Sequence, residues 1–135
     1  MQDAVLSSLG LYAFRISKLT DLELQTTYDH LVKDYPWLVV SQECYPVKHL
    51  HGIIGVPNKD TDKIEKAKLR LSIQEIYPKA IGNKYLYTAN VQKKRKVFQY
   101  TIKEGNYLFS KFSKQFIEEQ HKLSSSKEKL ADKVT

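Results

Sequence analysis

Four prolines constrain this chain of 135 residues more tightly than any other feature. Proline locks its own φ, lacks an N–H and pushes the preceding residue out of the helical region. Pro36, Pro46, Pro57 and Pro78 therefore end or interrupt regular structure wherever they fall. Before Pro36, Leu11-Tyr12-Ala13-Phe14-Arg15-Ile16-Ser17 reads as a strand rich in aromatic and β-branched residues. Thr20-Asp21-Leu22-Glu23 has the form of a capping box, and Leu24, Tyr28, Leu31 and Val32 recur at helical spacing, predicting a helix to about Asp34. Trp37 to Glu43 reads as a second strand, Cys44 to Lys48 as a turn around Pro46, and His49 to Val56 as a third strand. Beyond Pro57, Asp60 or Thr61 is placed to cap a helix carrying Ile64, Ala67, Leu71 and Glu75, with Ile73 and Ile76 nearby, which must stop before Pro78.

Lys84 to Val91 has the β propensity of a fourth strand. Lys93 to Glu104 follows as a basic helix with Gly105 at its C-terminal cap, and Phe109, Phe112 and Phe116 predict another helix to about Leu123. The order β-α-β-β-α-β-α-α predicts an α+β fold: a central antiparallel sheet of βαββαβ-like (RRM/ferredoxin-like) order, with helices packed on one face. Residues 1–117 form the expected domain. Residues 118–135, with Ser124-Ser125-Ser126 and a charged remainder, read as a helix end and a tail or linker.

At 41% apolar residues the chain can bury a core. No apolar run approaches the ~18 residues of a membrane span, and no basic stretch with an apolar block follows Met1, so neither membrane insertion nor secretion is expected. Cys44 is the only cysteine, which excludes an internal disulfide and a multi-cysteine zinc site and fits a reducing compartment. Charge is uneven. Residues 1–88 carry 11 Lys/Arg against 10 Asp/Glu, whereas residues 89–135 carry 11 against 5. A basic excess concentrated in one third of a chain is the footprint of a polyanion partner, or of a solubilising face.

Two short clusters carry chemistry. In Lys48-His49-Leu50-His51-Gly52, strand alternation sends both imidazoles to one face, about 7 Å apart. If Glu43 pairs opposite His49 across the turn, a carboxylate joins them in a set suited to Mn²⁺ or Mg²⁺. A one-residue slip would turn Glu43 away, leaving two ordinary surface or structural histidines. In Tyr100-Thr101-Ile102-Lys103, a helix puts the phenol and the ammonium on one face. A phenol is a poor nucleophile at neutral pH unless a cation stabilises its anion, which Lys103 can supply; a packed Tyr–Lys pair is the alternative. Lys93-Lys94-Arg95-Lys96, just before Tyr100, reads as a phosphate-contacting helix end or an import signal. His30 and His121 read as surface residues, and no Gly-rich phosphate loop of the ATPase type occurs.

Together, His49-Leu50-His51-Gly52 and Tyr100-Thr101-Ile102-Lys103, continued by Glu104-Gly105-Asn106 and separated by a helix and a strand, resemble a known family. They are similar to the HUH endonuclease domain of rolling-circle replication initiators (Rep proteins), especially those of circular single-stranded DNA viruses such as circoviruses. The resemblance covers about residues 9–115. It implies the HUH endonuclease fold and a metal-dependent enzyme that nicks and rejoins single-stranded DNA at an origin stem-loop. Tyr100 would be the nucleophile, Lys103 its assistant, His49 and His51 metal ligands, and Glu43 the upstream acidic ligand. The family's first motif would fall on Ala13 to Ser17, where the usual Phe-Thr-Leu-Asn type of sequence is not reproduced, leaving Arg15 and Ser17 as DNA contacts beside Lys93, Lys94, Arg95 and Lys96. The resemblance further implies a helicase domain following in a longer chain, and work in a host nucleus if the virus is eukaryotic, otherwise in cytoplasm. A single-tyrosine transposase, a plasmid initiator, and a non-catalytic nucleic-acid-binding module on a similar sheet are the alternatives.

Overall fold

The computed structural model describes residues 8–45, 47–57, 62–103 and 105–119. Along the chain run strand β1 (Gly10–Ser17), helix α1 (Leu24–Leu31), strands β2 (Trp37–Glu43) and β3 (His49–Val56), helix α2 (Asp62–Ile76), strand β4 (Leu86–Asn90), helix α3 (Lys94–Thr101) and strand β5 (Tyr107–Phe109). A 3-10 turn at Lys111–Ser113 then leads into helical residues 114–119. The strands form one sheet in the order β4-β1-β3-β2-β5, every neighbouring pair antiparallel. The protein is thus α+β, with a five-stranded antiparallel sheet and flanking helices, and the order β4-β1-β3-β2 is compatible with a ferredoxin-like arrangement.

Strand alternation splits the sheet into two unlike faces. Tyr12, Phe14, Ile16, Leu38, Val40, Leu50, Ile54 and Leu86 join Leu31, Leu69 and Ile73 of α1 and α2 in the larger core. On the opposite face Leu9, Leu11, Val39 and Ile53 pack with Phe98 of α3 and with Phe116 and Ile117. Helices therefore lie on both faces, not on one as the element order predicts. The reason is that Leu11, Val39 and Ile53 are apolar as well and need cover. Phe116 and Ile117 are each 2% exposed, and burial at roughly 1.5–3 kcal/mol per side chain is enough to hold the helical residues 114–119 on the sheet. That cover stops short of Arg15, His49 and His51, which share the face.

Local details depart from the sequence reading in several places. Thr20 does not cap α1; Glu23 is the N-cap residue and makes no side-chain cap. Tyr77, just past α2, serves instead: its hydroxyl accepts from the Glu23 N–H at 3.0 Å and lies 2.8 Å from the Thr27 hydroxyl. In α2 the predicted stripe of Ile64, Ala67, Leu71 and Glu75 faces solvent, with Leu71 64% exposed, while Glu65, Leu69, Ser72 and Ile73 are buried. Asp62 sets that rotation in the first turn, accepting the Tyr12 hydroxyl at 2.7 Å and the Asn90 side-chain amide. Phe109 belongs to β5 and not to a helix; this three-residue strand has no periodicity to read. His30 is not a simple surface residue. Its Nε2–H donates to the Ser72 carbonyl at 2.9 Å and lies 3.2 Å from Glu75, bridging α1 to α2. The Asp60 or Thr61 cap, His121, the helix end near Leu123 and the tail lie outside the described residues.

Candidate active site

The open part of the second face is built from strand ends. Pairing of β2 with β3 sets Glu43 opposite His49 and Ser41 opposite His51, so the register required for a shared face is present. Pairing of β1 with β3 sets Arg15 opposite His51 and Ser17 opposite His49, and pairing of β1 with β4 sets Arg15 opposite Tyr87. Cross-strand partners share a face, so one row runs Tyr87, Arg15, His51, Ser41 and the next runs Ser17, His49, Glu43. Gly52, immediately after His51, is where Phe14 crosses beneath: a Cβ there would meet the Phe14 ring at 2.7 Å and collide with the Val39 carbonyl oxygen.

Glu43, His49 and His51 offer ligand atoms that all lie within 4.8 Å of one another. His51 Nε2 is 2.5 Å from Glu43 Oε1, and His49 Nε2 is 3.4 Å from Glu43 Oε2. The carboxylate is 4% exposed, and a buried charge needs a compensating partner. His49 Nδ1 lies 2.9 Å from the Val47 carbonyl, which can only accept, so Nδ1 carries the proton. Its Nε2 faces the Glu43 carboxylate, while the Nδ1–H bonds the chain's own backbone. That is the outer hydrogen bond that orients a ligating histidine. Burial, above all, lowers the His51 pKa, assisted by His49 and Lys103, while Glu43 pulls it up; the net direction favours the neutral imidazole that a metal requires. The donor set, two nitrogens and one carboxylate within reach of one another, could hold a divalent cation.

Helix α3 crosses in front of this cluster. The Tyr100 ring centroid is 5.9 Å from that of His51, and Tyr100 is 59% exposed. The helix ends at Thr101, earlier than its sequence suggests, and Gly105 closes the turn with φ 79 and a 3.0 Å bond from its N–H to the Ile102 carbonyl. Lys103 therefore sits past the helix end, yet its Nζ lies 3.9 Å from the Tyr100 ring centroid, over the ring face. Arg15, His49, His51, Tyr87 and Tyr100 line one cleft of about 490 Å³.

The other named residues scatter around it. Ser17 donates its hydroxyl to the Lys84 carbonyl at 3.2 Å. Lys94 donates to the Leu9 carbonyl at 2.6 Å and ties α3 to the start of β1; Lys93 and Lys96 are exposed, and the Arg95 side chain and Glu104 lie outside the described residues. Tyr87, 48% exposed in the cleft, escaped the sequence reading; its alternation with buried Leu86 and Thr88 was the signal available. Among the described residues no helix is long and apolar enough to cross a membrane. Neither protein-family models nor curated proteins give a match to this chain.

Proposed function

We propose that the chain is a metal-dependent single-stranded DNA nicking and joining domain of the HUH type found in rolling-circle replication initiators. The observation that carries this reading is the meeting of the Glu43–His49–His51 cluster with Tyr100 across one open cleft. Either motif alone has a structural explanation; a nucleophile facing a metal-binding set in a solvent-filled cleft has a chemical one.

A divalent ion held by Glu43, His49 and His51 would supply Lewis-acid polarisation of the scissile phosphate and help orient it. Tyr100 Oη attacks the phosphorus, the new O–P bond replaces the bond to the 3′ oxygen, and the strand leaves with a 3′ hydroxyl. The phenolic proton departs to solvent, and the leaving oxygen gains one. The product is a 5′-phosphotyrosine. Lys103 favours this step because its ammonium sits over a ring into which phenolate charge spreads. The phosphotyrosine retains the energy of the cleaved bond, so attack by a 3′ hydroxyl reverses the step without ATP and regenerates Tyr100. The basic excess of residues 89–135 supplies attraction for the strand.

The test mixes the protein with Mn²⁺ and a pool of single-stranded oligonucleotides, and looks for a protein–DNA adduct that survives denaturation. The expected result is an adduct with the wild-type protein, none with Tyr100→Phe and none after chelation. If Tyr100→Phe still cuts with metal, a metal-activated water replaces the tyrosine mechanism. If the protein binds the pool but neither cuts nor links it, a non-catalytic binding module is the correct reading.

A further inference from the structure

Tyr87 and Arg15 have no part in the metal cluster or the nucleophile, yet both line the cleft that holds them. Tyr87 stands on edge strand β4, nearly half-exposed, its neighbours Leu86 and Thr88 turned into the core. Its ring makes no stacking contact and its hydroxyl no hydrogen bond with any described residue. Packing therefore does not explain an aromatic side chain here. Arg15, directly opposite Tyr87 on one side and His51 on the other, is exposed and forms no ion pair with a described residue. A guanidinium left without a carboxylate beside two histidines is a ready anion contact. Neighbouring strands lie about 4.8 Å apart, so Tyr87 stands roughly 10 Å from His51 across the sheet, with Arg15 midway.

We infer that Tyr87 and Arg15 form a nucleotide subsite beside the cut: Tyr87 stacks on one base, and Arg15 holds a phosphate between that base and the metal cluster. The inference rests on the single-stranded DNA reading given above. Stacking is tolerant of base identity, so the subsite fixes the path of the strand and not its sequence. It lies on the opposite side of the cluster from β5 and gives the strand a direction, running from the β4 edge across the sheet toward His51.

The test uses a Tyr100→Phe background, in which no strand is cut, and an oligothymidylate of about 20 nucleotides, longer than the footprint of one such site. One version carries 5-iododeoxyuridine, which crosslinks under light to an aromatic ring stacked on it. Tyr87→Thr keeps a β-branched residue in the strand while removing the ring. Relative to the parent it is expected to lose about 5–100-fold in affinity, the worth of one stacked base, with the salt dependence unchanged. Tyr87→Phe should bind within about twofold of the parent, since stacking needs the ring and not the hydroxyl. Arg15→Gln should make the slope of log K against log salt shallower by about 0.7. The crosslink should map to the peptide containing Tyr87. Parent-like affinity of Tyr87→Thr, or a crosslink elsewhere only, overturns the subsite while leaving the function standing. Equal losses in Tyr87→Phe and Tyr87→Thr overturn stacking in favour of a hydroxyl contact. Binding of the mixed-sequence pool but not of oligothymidylate overturns the sequence-tolerant stacking subsite; if the parent binds neither, the DNA reading falls and the subsite with it.

Discussion

His51 is held between opposing demands. It is 8% exposed, which disfavours its charged form, yet it lies 2.5 Å from a carboxylate that favours it. Burial wins, and the pKa is lowered in the folded protein. As pH falls below about 6.5, the unfolded chain binds a proton at this histidine before the folded chain does. The contribution to stability is therefore complete above that pH and is lost as pH falls through the window down to the lowered value. With chelator present, urea midpoints measured from pH 7.5 to 5 should decline for the wild type, and the part due to His51 should be missing from His51→Asn. The slope due to this one site cannot exceed ~1.4 kcal/mol per pH unit. An identical pH dependence in both proteins would refute the assignment. The residue pattern made this cluster readable in the sequence, because alternation puts His49 and His51 together and the five residues between Glu43 and His49 allow a hairpin. The hydrogen bond from His49 to Val47 was not readable, since it depends on the conformation of the turn.

Strand β3 is fixed from behind beside the candidate metal ligands. Phe14 lies under Gly52, and the Val39 carbonyl closes the remaining space, so the backbone just after His51 cannot shift without disturbing the core. Gly52→Ala should cost about 1–3 kcal/mol in urea unfolding, the usual range for overpacking. It should also weaken Mn²⁺ binding in calorimetry, because the strand must move next to His51. A variant as stable as wild type would show that the ring yields freely. The sequence yielded β1 to β4 closely, since apolar alternation and proline punctuation agree there. It failed on the rotation of α2, where two apolar arcs compete and the bonds from Tyr12 and Asn90 to Asp62 accompany the arc that is buried. It failed on β5 as well, because three residues paired to β2 are stabilised by the partner strand and not by their own propensity.

Across the whole molecule, two buried phenols limit tolerance to base. Burial pushes the Tyr35 pKa up to about 12, with Glu65 and then Asp34 adding to it, and burial together with Asp62 raises Tyr12 further. A raised phenol stabilises the fold fully below pH 10 and loses that contribution as pH rises from 10 through about 12, because the unfolded chain ionises first. Thermal unfolding followed by circular dichroism should show a midpoint falling between pH 10 and 12, with Tyr35→Phe falling less. The part due to Tyr35 is at most on the order of 3 kcal/mol; equal declines would remove Tyr35 from the account. The two-faced sheet has one more consequence. In β1, β2, β3 and β4 the side chains that meet α1 and α2 all carry even numbers: Phe14, Ile16, Val40, Leu50 and Leu86 among them. At the open ends of the same strands Arg15, Ser17, Glu43, His49, His51 and Tyr87 all carry odd ones. Parity thus sorts the two faces at a glance: at these strand ends the even positions pack against α1 and α2, and the odd ones turn to the open cleft.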